Sequence, residues 1–524
     1  MEIYPATYSC RPARRGLAGL LCAWGLLLPL AGAAQLYTPQ NYVALAPGTT
    51  PAATVRKAAS VVPSPRQLRW QQLERTGFIH FGMNTFTNKE WGDGTESPAL
   101  FNPTALDARQ WVRACQAGGI RQVIITAKHH DGFCLWPSKF TQHSVQSSPW
   151  KGGKGDVVKE VAEACHEQGV GFGVYLSPWD RNSPYFGDSA KYNNYFVNQL
   201  TELLTNYGRV DEVWFDGANG EGPTGKKQVY DFNRWYALIR RLQPTATIAV
   251  MGPDVRWVGT ESGYGRPTEW SVLPTDAQQQ ANVAANSQTE AAFAPKNHME
   301  DDLGSRAKLQ NAQALVWYPA EIDVSIRPGW FYHPAEDAQV KTPAQLLAIY
   351  NSSVGRNGVL LLNIPPDTRG LLAATDIASL KGFSKLLTDT YTVNLLATAR
   401  VASLTTSQTK ALLDANYTTY WTAPGHDTTA TLSFALPAPQ TFDVLQLQEN
   451  IAVGQRIEGF VLEYKVGAAW KTIVAGTTVG YKRILTFAPV RAQAVRLRIT
   501  SARLPPTLAA IGLYKQAVSV DVKK

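Results

Sequence analysis

From Thr76 onward the chain alternates short, almost unbroken apolar runs with longer segments whose apolar residues recur every three or four positions. Strands are predicted at Thr76–Met83 (TGFIHFGM), Arg121–Lys128 (RQVIITAK), Val170–Ser177 (VGFGVYLS), Val210–Asp216 and Thr245–Met251 (TATIAVM), and again near Leu315–Tyr318, Ala320–Ser325 and Gly358–Ile364. Between them Ala105–Ala117, Asp156–Gln168, Lys191–Tyr207 and Val229–Leu242 carry helical spacing. Strands apolar on both faces and joined by helical crossovers imply a parallel sheet covered by helices. About eight of them favour a (β/α)8-like TIM barrel over an open doubly wound sheet, and no GxGxxG follows the first strand. From about Asn394 the texture changes to alternating runs, TATLSFALP, FDVLQLQE, FVLEYKV, TIVAGTTV, KRILTFAPV and AVRLRIT, with no long helix among them. That is the pattern of an antiparallel β-sandwich. The expected division is a Pro, Ala and Thr-rich leader at 35–65, a barrel at 66–390 and a sandwich at 391–524.

Composition changes this picture mainly at the start. Arg11, Arg14 and Arg15 precede an apolar run, Leu17–Leu30, and small residues follow up to Ala34. This order predicts a secretory signal peptide over residues 1–34, cleaved near Ala34, and a secreted or periplasmic product. Leu21 and Cys22 lack the small residues expected before a lipidated cysteine, and no other segment is apolar for long enough to span a bilayer. Removing the signal leaves Cys115, Cys134 and Cys165, an odd set without a CxxC pair, which argues against a disulfide scaffold or a cysteine-rich zinc site. The formal charge of +9 is unevenly placed, because residues 391–524 hold 14 Lys and Arg against 7 Asp and Glu. The near-neutral body excludes nucleic acid as the expected partner.

Barrel enzymes place their chemistry at the carboxyl ends of the strands. Here those ends carry His80, then Lys128, His129, His130 and Asp131, then Tyr175, Ser177, Trp179 and Asp180, then Trp214 and Asp216. In EVWFDGANG, Asp216 shares the two-residue period of Glu212 and Trp214, so all three face one side of the strand. A carboxylate beside so much apolar surface needs a partner, and Asp followed by Gly also opens turns; both readings stand. His129 and His130 point to opposite faces if extended, which makes a poor chelating pair, and no spaced metal-ligand set or GxSxG elbow is present. Paired carboxylates remain as the candidate chemistry, as glycoside cleavage requires. Glu261 and Glu269 lie in the Gly- and aromatic-rich stretch DVRWVGTESGYGRPTEW, and Trp91, Trp136, Trp179, Trp214, Trp257 and Trp330 are candidate sugar platforms, with about half of them expected to be packing only.

The segments FIHFGMNTF, NKEWGDG, AKHHDGFCLWPSK, GVYLSPWD and EVWFDG, in this order, resemble the retaining α-L-fucosidases of glycoside hydrolase family 29 over roughly Arg69–Thr388. The resemblance implies a fucosylated oligosaccharide or glycoconjugate as substrate, no cofactor and no metal. It implies Asp216 as nucleophile and Glu261 as acid/base, the latter through a WxGxE-like loop of the subgroup that prefers α-1,3 and α-1,4 linkages; Glu269 is the reserve. It also implicates His80, His129, His130, Glu90, Trp91 and Tyr175, and more weakly Trp330, in holding the sugar, while Trp214 is expected to line the barrel mouth. The tail resembles discoidin-like carbohydrate-binding modules, with ANYTTYWTA as their early aromatic segment and no ligand run for a calcium ion. A non-catalytic carbohydrate-binding protein on the same barrel is the competing reading.

Overall fold

In the computed structural model, which describes residues 41–275, 300–414 and 416–519, eight parallel strands form a nearly closed barrel. They are β1 (Arg75–Ile79), β2 (Gln122–Lys128), β3 (Gly171–Leu176), β4 (Glu212–Phe215), β5 (Thr247–Val250), β6 (Arg256–Trp257), β7 (Ala320–Ser325) and β8 (Val359–Asn363). Pairing of β8 with β1 carries the ladder from β5 back through β1 to β6, and the seam lies between β5 and β6. The expected signal peptide, residues 1–34, lies outside the described residues.

The two-residue period sorts the strand side chains into two cores. Phe78, Ile124, Tyr175, Trp214, Ala249, Val359 and Leu361 fill the lumen together with Trp70 from the helix Pro65–Leu73. Their neighbours Ile79, Val123, Ile125, Val174, Val213, Ile248, Leu360 and Leu362 pack outward against the helices. Four of those helices, Ala108–Ala117, Val157–Glu167, Ser189–Asn206 and Phe232–Leu242, start on Asp107, Asp156, Asp188 and Asp231, whose carboxylates accept backbone N–H groups of the first turn. Each such cap contributes about 1 kcal/mol.

Two expectations need correction. The run near Leu315–Tyr318 is no barrel strand: Ala314–Trp317 pairs antiparallel with Tyr42–Ala44 and Val272–Thr275 in a separate sheet. Its place in the barrel is taken by β6, a two-residue strand too short to show any period. The leader is also folded from residue 41, because Thr50 caps the helix Pro51–Ala58 and Pro51 suits its first turn. Pro- and Ala-rich composition there starts a helix.

In the C-terminal domain β9 (Ala430–Gln448), β10 (Ile457–Val466), β11 (Ala469–Gly476), β12 (Arg483–Ala502) and β13 (Ala510–Tyr514) build an antiparallel sheet with Arg400–Val401, accompanied by the pair Trp421–Thr422 and Thr507–Leu508. TATLSFALP and FDVLQLQE prove to be one strand, β9, whose register shifts between Ala435 and Gln440 around Pro437 and Pro439, residues with no N–H for the ladder. The domain packs on the barrel through polar contacts: Asn357 accepts the Tyr481 N–H at 2.8 Å, Arg306 pairs with Glu458 at 2.7 Å, and Lys482 pairs with Glu74.

Candidate active site

β4 ends at Phe215, and Asp216 continues its alternation onto the lumen side beyond Trp214. Its side chain is 26% exposed, open to the barrel mouth. Oδ1 accepts the Ala218 N–H at 2.7 Å, which closes the Asp-Gly turn, and Oδ2 accepts the Tyr175 hydroxyl at 3.1 Å. The two readings of Asp216 are thus divided between its oxygens. Tyr175 stacks on Trp214 with ring centroids 5.2 Å apart, and the Trp214 indole N–H points down the lumen to Glu321 Oε1 at 2.7 Å. Trp214 therefore forms a floor under Tyr175 with its polar edge turned away from the mouth.

Three imidazoles edge the same hollow. His80 Nδ1 lies 2.9 Å from Asn363 Oδ1, an oxygen that also accepts the His80 backbone N–H at 3.2 Å, so Nδ1 carries the proton. Burial pushes the His80 pKa down to about 3, and burial likewise holds His129 and His130 below the usual histidine range, the latter partly offset by the Asp216 charge. His130 Nδ1 is 2.8 Å from Ser177 Oγ, whose own hydrogen goes to the Trp179 carbonyl. That leaves a bare Nε2, 3.8 Å from Asp216 Oδ2. His129 Nδ1 faces the Asn84 amide nitrogen at 3.3 Å, which places its proton on Nε2. Burial thus favours the neutral form of all three rings, each with one fixed donor nitrogen and one acceptor nitrogen.

The adjacent His129 and His130 do not point to opposite faces; their centroids are 4.1 Å apart. The strand stops at Lys128 and the chain turns, with the Gly132 N–H returning to the His129 carbonyl at 3.0 Å. Gly132 has φ +79° and a Cβ there would sit 2.4 Å from Asp180 Oδ1, so the turn requires glycine. A register shift between Thr126 and Lys128 turns Lys128 away from the mouth into a sealed ion pair with Asp180 at 2.8 Å. Lys128 and Asp180, both at strand ends, are structural.

Two loops complete the rim. Glu90 accepts the backbone N–H of Trp330 at 2.8 Å and of Phe331 at 3.1 Å, and it meets His333 Nε2 at 2.6 Å. It orders the loop that carries Trp330. Trp91, 54% exposed, stands edge-on to His130 and Trp179 with centroids 5.5 Å from each. Glu261 occupies the tip of a loop tied at Val258 and Gly263, whose N–H groups reach the carbonyls of Glu321 and Asp323. Its Oε2 accepts the Trp330 indole N–H at 3.1 Å. Loss of water around the carboxyl raises its pKa, the Trp330 bond opposes this, and the charges of Asp216 and Glu90 add to the rise. The side chain bonded to Glu261 is thus Trp330, from the loop that Glu90 orders. Glu269 is elsewhere: it is buried against Arg256 and Arg266, under the C-terminal domain.

A model of the Alpha-L-fucosidase family matches residues 65–390, most of the chain, and one of the F5/8 type C domain matches 397–511. The chain belongs to the α-L-fucosidase family. Alpha-L-fucosidase 1 of Arabidopsis thaliana is 43% identical over 469 residues, covering 87% of this chain and 88% of its own. A crystal structure from Bacteroides ovatus ATCC 8483 superposes with a TM-score of 0.82 at 48% identity, over 92% of this chain and 79% of that one. A Ruminococcus gnavus GH29 fucosidase in complex with fucose has a TM-score of 0.75 at 28% identity, over 92% and 100%. The protein is accordingly a glycoside hydrolase.

Strand-end reasoning passed over several residues of this candidate site. Asn363 fixes His80 and donates to the Trp330 carbonyl at 2.7 Å; it ends GVLLLN, and a search for polar residues at the end of β8 finds it. Phe331 stands edge-on to His80 and His129 at 5.4 and 5.0 Å, and no sequence period marks it. Among the tryptophans, Trp136 is core, with its N–H on Glu202. Trp257 is bound to Asp323.

Proposed function

We propose that this fucosidase is a retaining exo-hydrolase that removes terminal α-linked L-fucose from branched oligosaccharides or glycoconjugates by double displacement. Asp216, as carboxylate, attacks the anomeric carbon while protonated Glu261 gives its proton to the departing oxygen. Water then enters, Glu261 takes one of its protons, and the fucosyl–Asp216 ester opens with net retention. The observation that carries this reading is the pairing at one mouth: Asp216 with Oδ2 turned to Tyr175, and Glu261 with a carboxyl pKa raised partly by the Asp216 charge. His80, His129 and His130 hydrogen-bond the sugar hydroxyls from one side, and Trp91 and Trp330 offer apolar faces. The fucose bound in the Ruminococcus gnavus relative supports a fucosyl ligand here.

The HHDGFCLW and WVGTE wording supports a preference for α-1,3 and α-1,4 linkages, and the order of residues at the N-terminus supports export. Glu90 clamps the Trp330 loop, so it acts on the sugar chiefly through that loop.

Asp216→Ala abolishes hydrolysis of an aryl α-L-fucoside and leaves the protein folded, with a cooperative thermal transition; added azide restores turnover with a β-fucosyl azide as product. Glu261→Ala slows poor leaving groups far more than activated ones. Retained hydrolysis in Asp216→Ala, or an equal loss for all leaving groups in Glu261→Ala, refutes the assignment. Lewis-type and 2′-fucosylated oligosaccharides tested side by side decide the linkage.

A further inference from the structure

Beneath the site lies a column of acids that the proposed chemistry leaves unused. Glu212, Glu321 and Asp323 point into the lumen, and each is closed off from solvent and met by one indole: Trp70 on Glu212 at 3.1 Å, Trp214 on Glu321 at 2.7 Å, Trp257 on Asp323 at 2.7 Å. Gln122 also donates to Glu212. Among the described residues no lysine or arginine pairs with any of the three, and Glu212 Oε1 and Glu321 Oε2 have no partner at all. An unpaired ionised carboxylate in such a place is prohibitively costly, and two of them would also repel. Burial first, and then the repulsion that an ionised Glu212 would exert, hold Glu321 well above the usual carboxyl range.

The central acid is also mechanically linked to the nucleophile. Its bond from Trp214 fixes an indole that stacks at 25° on Tyr175, and Tyr175 donates to Asp216. We propose that Glu321, kept as a neutral carboxylic acid, is a positioning residue for fucoside hydrolysis, setting Asp216 through Trp214 and Tyr175. This rests on Asp216 being the nucleophile. A neutral acid supplies the one acceptor that Trp214 needs without adding a second negative charge behind an anion that must attack carbon. Ionisation of the column would place repulsion directly below Asp216, with Glu212 on β4 and Asp323 on β7 as the other titratable groups facing Glu321.

The test compares Glu321→Leu, Glu321→Gln, Trp214→Phe and Asp216→Ala in the full chain on an aryl fucoside. Glu321→Leu is expected to lower kcat at least about tenfold, the weight of a lost buried hydrogen bond, with KM little changed and the acid limb of the pH profile moved upward. Glu321→Gln keeps the acceptor and the neutral state, and restores kcat to within about twofold of wild type. Trp214→Phe, which keeps an aromatic ring under Tyr175 but loses the N–H, moves the acid limb in the same direction and tests the link even where Glu321→Leu does not fold. Wild-type kcat and acid limb in both Trp214→Phe and any folded Glu321→Leu overturn the positioning role. A Glu321→Gln protein as slow as Glu321→Leu overturns the neutral state. Activity in Asp216→Ala refutes the nucleophile instead, and so separates the two failures.

Discussion

Replacing Trp330 by Phe removes the hydrogen bond to Glu261 while keeping an aromatic ring in the loop. The indole N–H lies 3.1 Å from Glu261 Oε2, and it favours the ionised carboxyl. In the wild type the Trp330 and His80 ring centroids are 5.1 Å apart, and the Glu90 bonds of 2.8 and 3.1 Å that clamp the loop go to backbone N–H groups, which the substitution retains. A single hydrogen bond at a carboxyl near the mouth is worth about 1 kcal/mol. Since one pKa unit corresponds to about 1.36 kcal/mol, losing a bond of that size raises the Glu261 pKa by about 0.7 unit. Glu261 must be protonated in the free enzyme to act as acid, so the alkaline limb of kcat/KM moves to higher pH by that amount. The acid limb stays in place, because the substitution leaves the contacts of Asp216 untouched. The assay is kcat/KM for a poorly activated aryl fucoside across the pH range, wild type beside variant. An alkaline limb that falls, or one that stays fixed while the acid limb moves, refutes the argument that Trp330 tunes the acid.

Three further outcomes follow from the packing. Glu269→Ala removes the buried carboxylate that Arg256 and Arg266 share and costs about 3–5 kcal/mol in denaturant titration, while the remaining activity falls equally for good and poor leaving groups. Lys128→Met strands Asp180 in a site closed to water and destabilises the barrel by a similar margin, about 3–5 kcal/mol, measured the same way. Asp131 is pushed up to about 7 by burial, so between the unfolded value near 3.8 and pH 7 the native state binds one proton more than the unfolded chain. Its contribution is full below that window and is lost as pH rises through it. Asp131→Asn therefore flattens the decline of stability between about pH 4 and 7 by one proton, which unfolding titrations at several pH values measure.

What the residues disclose in advance depends on how far apart the cooperating groups lie along the chain. Asp216 was legible because Glu212, Trp214 and Asp216 share one strand, so a period of two carries the lumen side to the last residue. The two imidazoles after β2 were misdirected by the same rule, since nothing in RQVIITAKHH marks the register shift between Thr126 and Lys128 that resets the alternation. The companion of Glu261 is 69 positions away and that of Glu90 is 240 away, and each bond joins two loops whose shapes follow from tertiary packing. Indole nitrogens make the point sharply. Trp70, Trp214, Trp257 and Trp330 each donate to a different carboxyl. The sequence shows four apolar rings and four acids, but which ring meets which acid, and so which acid stays neutral and which faces substrate, is decided by closing the barrel. Chemistry carried by one strand can be read ahead of the fold, whereas chemistry shared between strands is created by it.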